Sequence, residues 1–185
     1  MTETTKPLRA DAQRNRDKLL DAAAAAFAAD GSGASLDAIA KRAGVGVGTL
    51  YRNFPTREAL IEATYRQEVD RLGSAAEALL GEHAPPEALA AWMERFLGYM
   101  RAKRGMAEAM HSVVAANRGS ARAMLESAIG AFVEAGQADG TLRTDVDAED
   151  VLVSMSALWT LAERPDADER ARTSVRILVD GLRAR

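Results

Sequence analysis

The sequence predicts an all-α protein, with a three-helix N-terminal domain followed by a larger helical domain. Three observations carry this. Apolar residues recur three and four apart in each long segment, the spacing that lines one side of a helix. They nowhere alternate at a spacing of two, as a half-buried strand would require, and no internal repeat is present. Gly, Pro and Asp stand between the periodic segments, where helices must stop. Hydrophobic residues make up 48% of 185 positions, enough for a core in one large helical domain or two small ones.

Composition removes several classes of function. There is no cysteine, so disulfides and thiolate metal sites are excluded, and a reducing, cytoplasmic setting is expected. No apolar run approaches the roughly 18 residues of a membrane span. The first residues, MTETTKPLRADAQRNRDK, lack the apolar core of a signal peptide. No membrane association is expected. Net charge is −3, unevenly spread. Residues 1–57 hold nine basic and six acidic side chains, a net +3, and the remainder carries −6. Positive charge at one end suits a polyanion there.

In chain order, Met1 to about Leu8 reads as a mobile polar arm. The first helix runs from about Ala10 to Ala29. Leu19, Leu20, Ala23, Ala24 and Phe27 form its apolar side, and Asp30-Gly31 stops it. Its poly-Ala run, Ala22–Ala26, is a strong helix former with small side chains that allow close packing. Ser35 is an N-cap for a second, short helix with Leu36, Ile39 and Ala40 on its apolar face. Ala43-Gly44 ends it, and Val45 can plug the angle that follows. Leu50 and Phe54, four apart, give a third helix its buried face. Pro55 breaks that helix, and Thr56 can cap the next.

A helix, a Gly turn and a second helix form the pattern of a helix-turn-helix, whose second helix enters the DNA major groove. The polar chemistry agrees. Gly48 removes a side chain where a phosphate could approach. Thr49, Tyr51 and Asn53 can hydrogen-bond phosphate or base edges, and Arg52 adds charge. Arg57 stands at a helix N-terminus, where backbone N–H groups favour phosphate. The candidate DNA-binding set is Ser35, Val47, Gly48, Thr49, Tyr51, Arg52, Asn53 and Arg57.

The segment resembles the DNA-binding domain of the tetracycline-repressor (TetR) family of transcriptional regulators. The residues that carry the resemblance are Ile39-Ala40, Ala43-Gly44-Val45, Gly48-Thr49-Leu50-Tyr51, Phe54-Pro55 and Glu58-Ala59-Leu60. Two positions depart from the pattern. Gly46 stands where the family often has a capping Ser or Thr. Val47 stands where it often has a polar or charged base reader; a valine can pack only on something apolar, such as a thymine methyl.

The fourth helix runs from Thr56 through Leu60, Ile61, Tyr65, Val69 and Leu72 to about Leu80. Gly81 and Pro85-Pro86 mark its boundary with a helix from Pro86 to about Arg101. Gly105 interrupts, and Met106, Met110, Val113 and Val114 continue an apolar face. Asn117-Arg118-Gly119-Ser120 reads as a turn. Met124, Leu125, Ala128, Ile129, Phe132 and Val133 mark a further helix ending near Asp139-Gly140. Asp147, with Asp150 three residues on, caps a helix carrying Val151, Leu152, Met155, Leu158 and Trp159. Arg164-Pro165-Asp166 separates it from a last helix with Val175, Leu178, Val179 and Leu182.

The resemblance implies a DNA-binding domain over about residues 1–57 and an effector-binding and dimerisation domain over 58–185. It implies a ligand-responsive repressor acting as a homodimer on a pseudo-palindromic double-stranded operator. It places the effector pocket among Trp92, Phe96, Tyr99, Met100, Met110, His111, Met124, Met155 and Trp159, a Met- and aromatic-rich set suited to a small apolar or aromatic effector. It places the dimer interface on the last two helices, through Val151, Met155, Leu158, Val175, Leu178, Val179 and Leu182. The same Met and aromatic residues at helical spacing also read as plain core. Glu108 and His111 lie on one helix face, but His83 has Leu80 at the matching position, so no paired-carboxylate metal centre is expected. No cofactor motif and no Ser/His/Asp constellation is present, so no enzymatic activity is expected. The rival reading is a helical small-molecule-binding or interaction protein without operator binding.

Overall fold

The computed structural model describes residues 5–106, 111–155 and 167–184; for 5–9, 32, 111–118, 120, 167 and 168 the description is of the backbone. Eight α-helices occupy the described residues: α1 (Thr5–Asp30), α2 (Leu36–Ala43), α3 (Val47–Asn53), α4 (Arg57–Glu82), α5 (Pro85–Gly105), α6 (His111–Ala138), α7 (Ala148–Met155) and α8 (Ala167–Leu182). A single 3-10 turn, Gly31–Gly33, follows α1. Among the described residues there is no strand, only an isolated bridge between Leu142 and Arg183. No helix among them is long and apolar enough to cross a membrane. The protein is all-α, as its periodicity predicts.

Two compact units make up the chain. The first comprises Met1–Glu68 and Ala102–Ala115; the second comprises Val69–Arg101 and Ala116–Arg185. Helices α4, α5 and α6 each carry residues of both.

In the first unit the core gathers Leu19, Leu20, Ala23 and Phe27 of α1, Ile39 and Ala40 of α2, Leu50 of α3, and Leu60, Ile61 and Tyr65 of α4, with Phe54 between α3 and α4. Thr64 is buried among them, and its hydroxyl donates to the Leu60 carbonyl at 2.7 Å. The Arg16 guanidinium lies 4.6 Å from the Phe54 ring centroid, a cation–π contact that ties α1 to the end of α3. The end of α5 belongs to this unit and meets α1 backbone to backbone. A Cβ placed on Gly105 would stand 1.7 Å from the Phe27 carbonyl oxygen and 2.6 Å from its carbonyl carbon. Only glycine fits there.

In the second unit α5 and α6 contribute Leu89, Trp92, Met93, Phe96, Ile129 and Phe132 to the core. The aspartates before α7 form a reciprocal cap: the Asp150 N–H donates to Asp147 Oδ1 at 2.9 Å, and the Asp147 N–H donates to Asp150 Oδ2 at 3.1 Å. A backbone clasp holds the end of the chain. The Arg143 N–H donates to the Leu182 carbonyl at 2.9 Å, and the Ala184 N–H to the Thr141 carbonyl at 3.0 Å. Arg183 reinforces it by donating to Glu87 Oε1 at 2.7 Å, and that hydrogen bond holds the Glu87 carboxyl below its ordinary range.

Three boundaries differ from the sequence reading. Helix α1 begins at Thr5, so part of the expected arm is helical. Helix α5 continues past Arg101 to Gly105. The turn expected at Asn117-Arg118-Gly119-Ser120 does not occur, because α6 runs unbroken from His111 to Ala138. None of those four residues is proline, so every N–H can stay in the helical ladder, and one glycine costs only about 1 kcal/mol against alanine. The apolar face formed by Leu125, Ala128, Ile129, Phe132 and Val133 outweighs that cost once it is buried.

Candidate DNA interface

The helix-turn-helix is assembled by local capping. Ser35 is the N-cap of α2, and its Oγ accepts from the Ala38 N–H at 3.4 Å. Gly44 ends α2 with φ 70°, a left-handed conformation that a side chain would oppose. The Val45 N–H then donates to the Ala40 carbonyl and the Gly44 N–H to the Lys41 carbonyl, both at 3.1 Å. This is the double bond of a Schellman ending, and it fixes the chain's exit from α2. Gly46 is the N-cap of α3 with no side-chain cap. Thr56 caps α4, its Oγ1 accepting from the Ala59 N–H at 3.1 Å.

Helix α3 buries Leu50 and turns its other side outward. Val47 is 40% exposed and Tyr51, one turn later, 47%. Gly48 is exposed, and a Cβ there would meet no protein atom within 4 Å. Thr49 is half-buried and organises its neighbours. Its Oγ1 accepts from Arg52 Nη2 at 3.0 Å, and its carbonyl accepts from Asn53 Nδ2 at 2.8 Å. Arg52 is exposed and Asn53 half-buried. Val47, Gly48, Tyr51 and Arg52 therefore lie open on the helix, whereas the amide of Asn53 is already engaged with it.

Arg57 has a task that spacing did not show. It opens α4, as expected, yet its Nη1 donates to the Ala34 carbonyl at 2.6 Å and its guanidinium lies 5.4 Å from the Phe27 ring centroid. It bonds α4 to the loop before α2. Arg57→Ala should lower stability by about 1.5–3 kcal/mol, the worth of a hydrogen bond to a charged group. It should leave the salt dependence of DNA binding unchanged, whereas loss of a phosphate contact would reduce the slope by about one unit. Chemical denaturation and salt titrations of DNA binding separate the two.

The comparisons agree with this geometry. The tetR family of bacterial regulatory proteins matches residues 19–64. The C-terminal domain of SbtR-like transcriptional regulators matches residues 84–184, more than half of the chain. The chain belongs to the TetR family of transcriptional regulators. The TetR transcriptional regulator SCO0520 from Streptomyces coelicolor is 45% identical, with 91% of this chain and 98% of that one covered and a TM-score of 0.83. A TetR transcription regulatory protein from Mycobacterium vanbaalenii is 38% identical, over 96% of this chain and 100% of that one, with a TM-score of 0.75. No curated protein matches the chain. As a TetR-family member, the protein is a DNA-binding transcriptional regulator, and α3 is the recognition helix of its helix-turn-helix.

The effector candidates of this TetR protein fall mainly in the core of the second unit. Trp92, Phe96, Tyr99, Met100 and Met155 are buried, and Met124 is half-buried. Trp92 and Phe96 have ring centroids 5.9 Å apart, Phe96 and Tyr99 5.9 Å, and Trp92 and Phe132 6.0 Å. Phe132 thus joins the cluster, although its spacing marks it only as a helix-face residue. The Trp92 indole N–H is spent on the Leu72 carbonyl at 2.9 Å, so in this conformation it is a tie between α5 and α4 rather than a handle for a ligand. His111 opens α6 with only its backbone described, and Met110 and Trp159 lie outside the described residues. Among the described residues no three His, Asp or Glu side chains gather as metal ligands.

Most of the dimer candidates pack within the protomer. Val151, Met155, Val175, Val179 and Leu182 are buried in their own chain. Leu178 is half-buried, and Leu158 lies outside the described residues. The large apolar side chains that α7 and α8 leave in solvent are Val153 (57% exposed) and Ile177 (68%). Both break the inward stripe of their helix, which was the available signal for them.

Proposed function

We propose that this protein is a ligand-responsive repressor that binds a pseudo-palindromic operator as a homodimer, with no enzymatic turnover, acting in the cytoplasm. The observation that carries the DNA half is the open surface of α3: Val47, Gly48 and Tyr51 are exposed on a helix whose other side is held by Leu50. Ser35, Thr49 and Arg52 are assigned to the same interface. Two such helices in a symmetric dimer would meet successive major grooves. The test is selection of operator sequences from random DNA. An enriched inverted repeat supports the reading, and failure of the folded protein to enrich any sequence would favour a helical binding protein without an operator.

The dimer is assigned to the outer sides of α7 and α8, supported by Val153, Ile177 and half-buried Leu178. Ile177→Glu should give a folded monomer with weakened operator binding, because that side chain is 68% exposed in the protomer. Val179→Glu should unfold the chain instead, because it buries an unpaired charge. Sedimentation velocity together with circular dichroism distinguishes these outcomes. A dimeric Ile177→Glu protein removes this surface from the interface.

The effector is assigned to the second unit, as a mainly apolar or aromatic molecule with one or two hydrogen-bonding groups. Support comes from the side chains of α5 and α6, where Trp92, Phe96, Tyr99, Phe132 and Met124 offer aromatic faces and a thioether. Entry would require the packed cluster to open. A ligand can favour an open, DNA-releasing state only by binding it more tightly than the closed one. The expected signature is a thermal shift, a change in tryptophan fluorescence and release of operator DNA by the same compound.

A further inference from the structure

We propose that Val47 reads the C5-methyl group of a thymine in each operator half-site, and that this apolar contact, rather than hydrogen bonding, is how the first turn of α3 selects sequence. The inference rests on the operator-binding reading and sharpens it. Residues at the N-terminal end of a recognition helix are those that reach base edges. Here those residues are Gly46, Val47 and Gly48, and none has a side-chain donor or acceptor. Val47 is not consumed by the fold, being 40% exposed. A Cβ at Gly46 or Gly48 would meet nothing within 4 Å beyond its chain neighbours, so the positions on either side of Val47 are open. The polar side chains follow later on the helix, where Thr49 accepts from Arg52 through its hydroxyl and from Asn53 through its carbonyl. Tyr51, four residues after Val47 and also exposed, lies on the same side of the helix and adds a ring to the surface. In the major groove the only apolar feature of a base edge is the thymine methyl. A valine between two glycines can approach it closely, whereas against an adenine, guanine or cytosine edge it would leave polar atoms dry and unpaired.

The experiment begins with the operator selected from random DNA. Each thymine of a half-site is replaced in turn by deoxyuridine, which removes the methyl and leaves base pairing unchanged, and affinities are measured by fluorescence anisotropy at fixed salt. At one position of each half-site the replacement should weaken binding about fourfold, the worth of one buried methyl group. Replacing both symmetric positions should multiply the losses. In Val47→Ala the penalty for deoxyuridine at that position should vanish, with melting temperature unchanged. The inference is overturned if the selected half-sites contain no thymine, if no deoxyuridine replacement weakens binding, or if the penalty persists in Val47→Ala; each leaves operator binding itself intact. Failure to select any operator overturns both readings. The deoxyuridine arm alters only the DNA, so it holds even if the Val47 variant is unstable.

Discussion

Gly48→Val abolishes operator binding while leaving the fold where it is: that is the expected result, and it should be the largest effect of any single change on α3. A Cβ at Gly48 meets no protein atom within 4 Å, so the isopropyl group projects into space that the protein does not use. Valine is also slightly better than glycine inside a helix, so no loss of helical stability opposes the change. In the proposed DNA complex the same space would be taken by the duplex. Forcing added carbons into a closed interface costs about 1–3 kcal/mol at each contact. Two half-sites then lose on the order of 30- to 10⁴-fold in affinity. The check is the melting temperature and operator affinity of one preparation, with Gly48→Ala as the milder step. Normal operator binding by the valine variant would remove the first turn of α3 from the interface. A large fall in melting temperature would show that Gly48 has a role within the fold.

Gly105 should behave in the opposite way. Its Cβ would fall 1.7 Å from the Phe27 carbonyl oxygen and 2.6 Å from the carbonyl carbon, and neither atom belongs to a flexible side chain that could turn aside. To admit even alanine, the end of α5 must move off α1. Overpacking of this kind costs about 1–3 kcal/mol or more. At about 2–4 °C per kcal/mol for a chain of this size, Gly105→Ala should lower the melting temperature by roughly 5–10 °C. Gly73→Ala is the control. There the nearest atoms are Met124 Cγ at 2.8 Å and Sδ at 3.2 Å, part of a long flexible side chain, so its loss should be smaller. Equal melting temperatures for Gly105→Ala and the parent would mean that the α5 end does not hold the close approach to Phe27.

Much of the protein is legible along the chain because the interactions that set it are short-range. Ser35 caps α2 through an N–H three residues on, Thr56 caps α4 in the same way, and Asp147 and Asp150 cap each other. Gly44 closes α2 with bonds that reach no further back than Ala40. Such signals need only the neighbouring sequence, and with the apolar spacing they mark the helix-turn-helix and most helix ends. The misread turn at Asn117–Ser120 shows where local signals lose. Polar and glycine residues weaken a helix by an amount that a long buried face can overcome.

What the sequence by itself determined was the all-α class, the order of the N-terminal helices and the identity of the side chains on α3, since helix period and capping are properties of residues three to five apart. Only the tertiary structure decided which partners those helices meet. It turned Arg57 toward Ala34 and Phe27, 23 and 30 positions away along the chain, and spent the Trp92 N–H on Leu72. It also divided α8 into Val175 and Val179 inside and Ile177 outside. Periodicity tells which residues share a face, but every apolar face is equally eager for cover. Whether that cover comes from the same chain, a second copy, DNA or a ligand depends on how distant segments pack, which spacing along one helix does not encode.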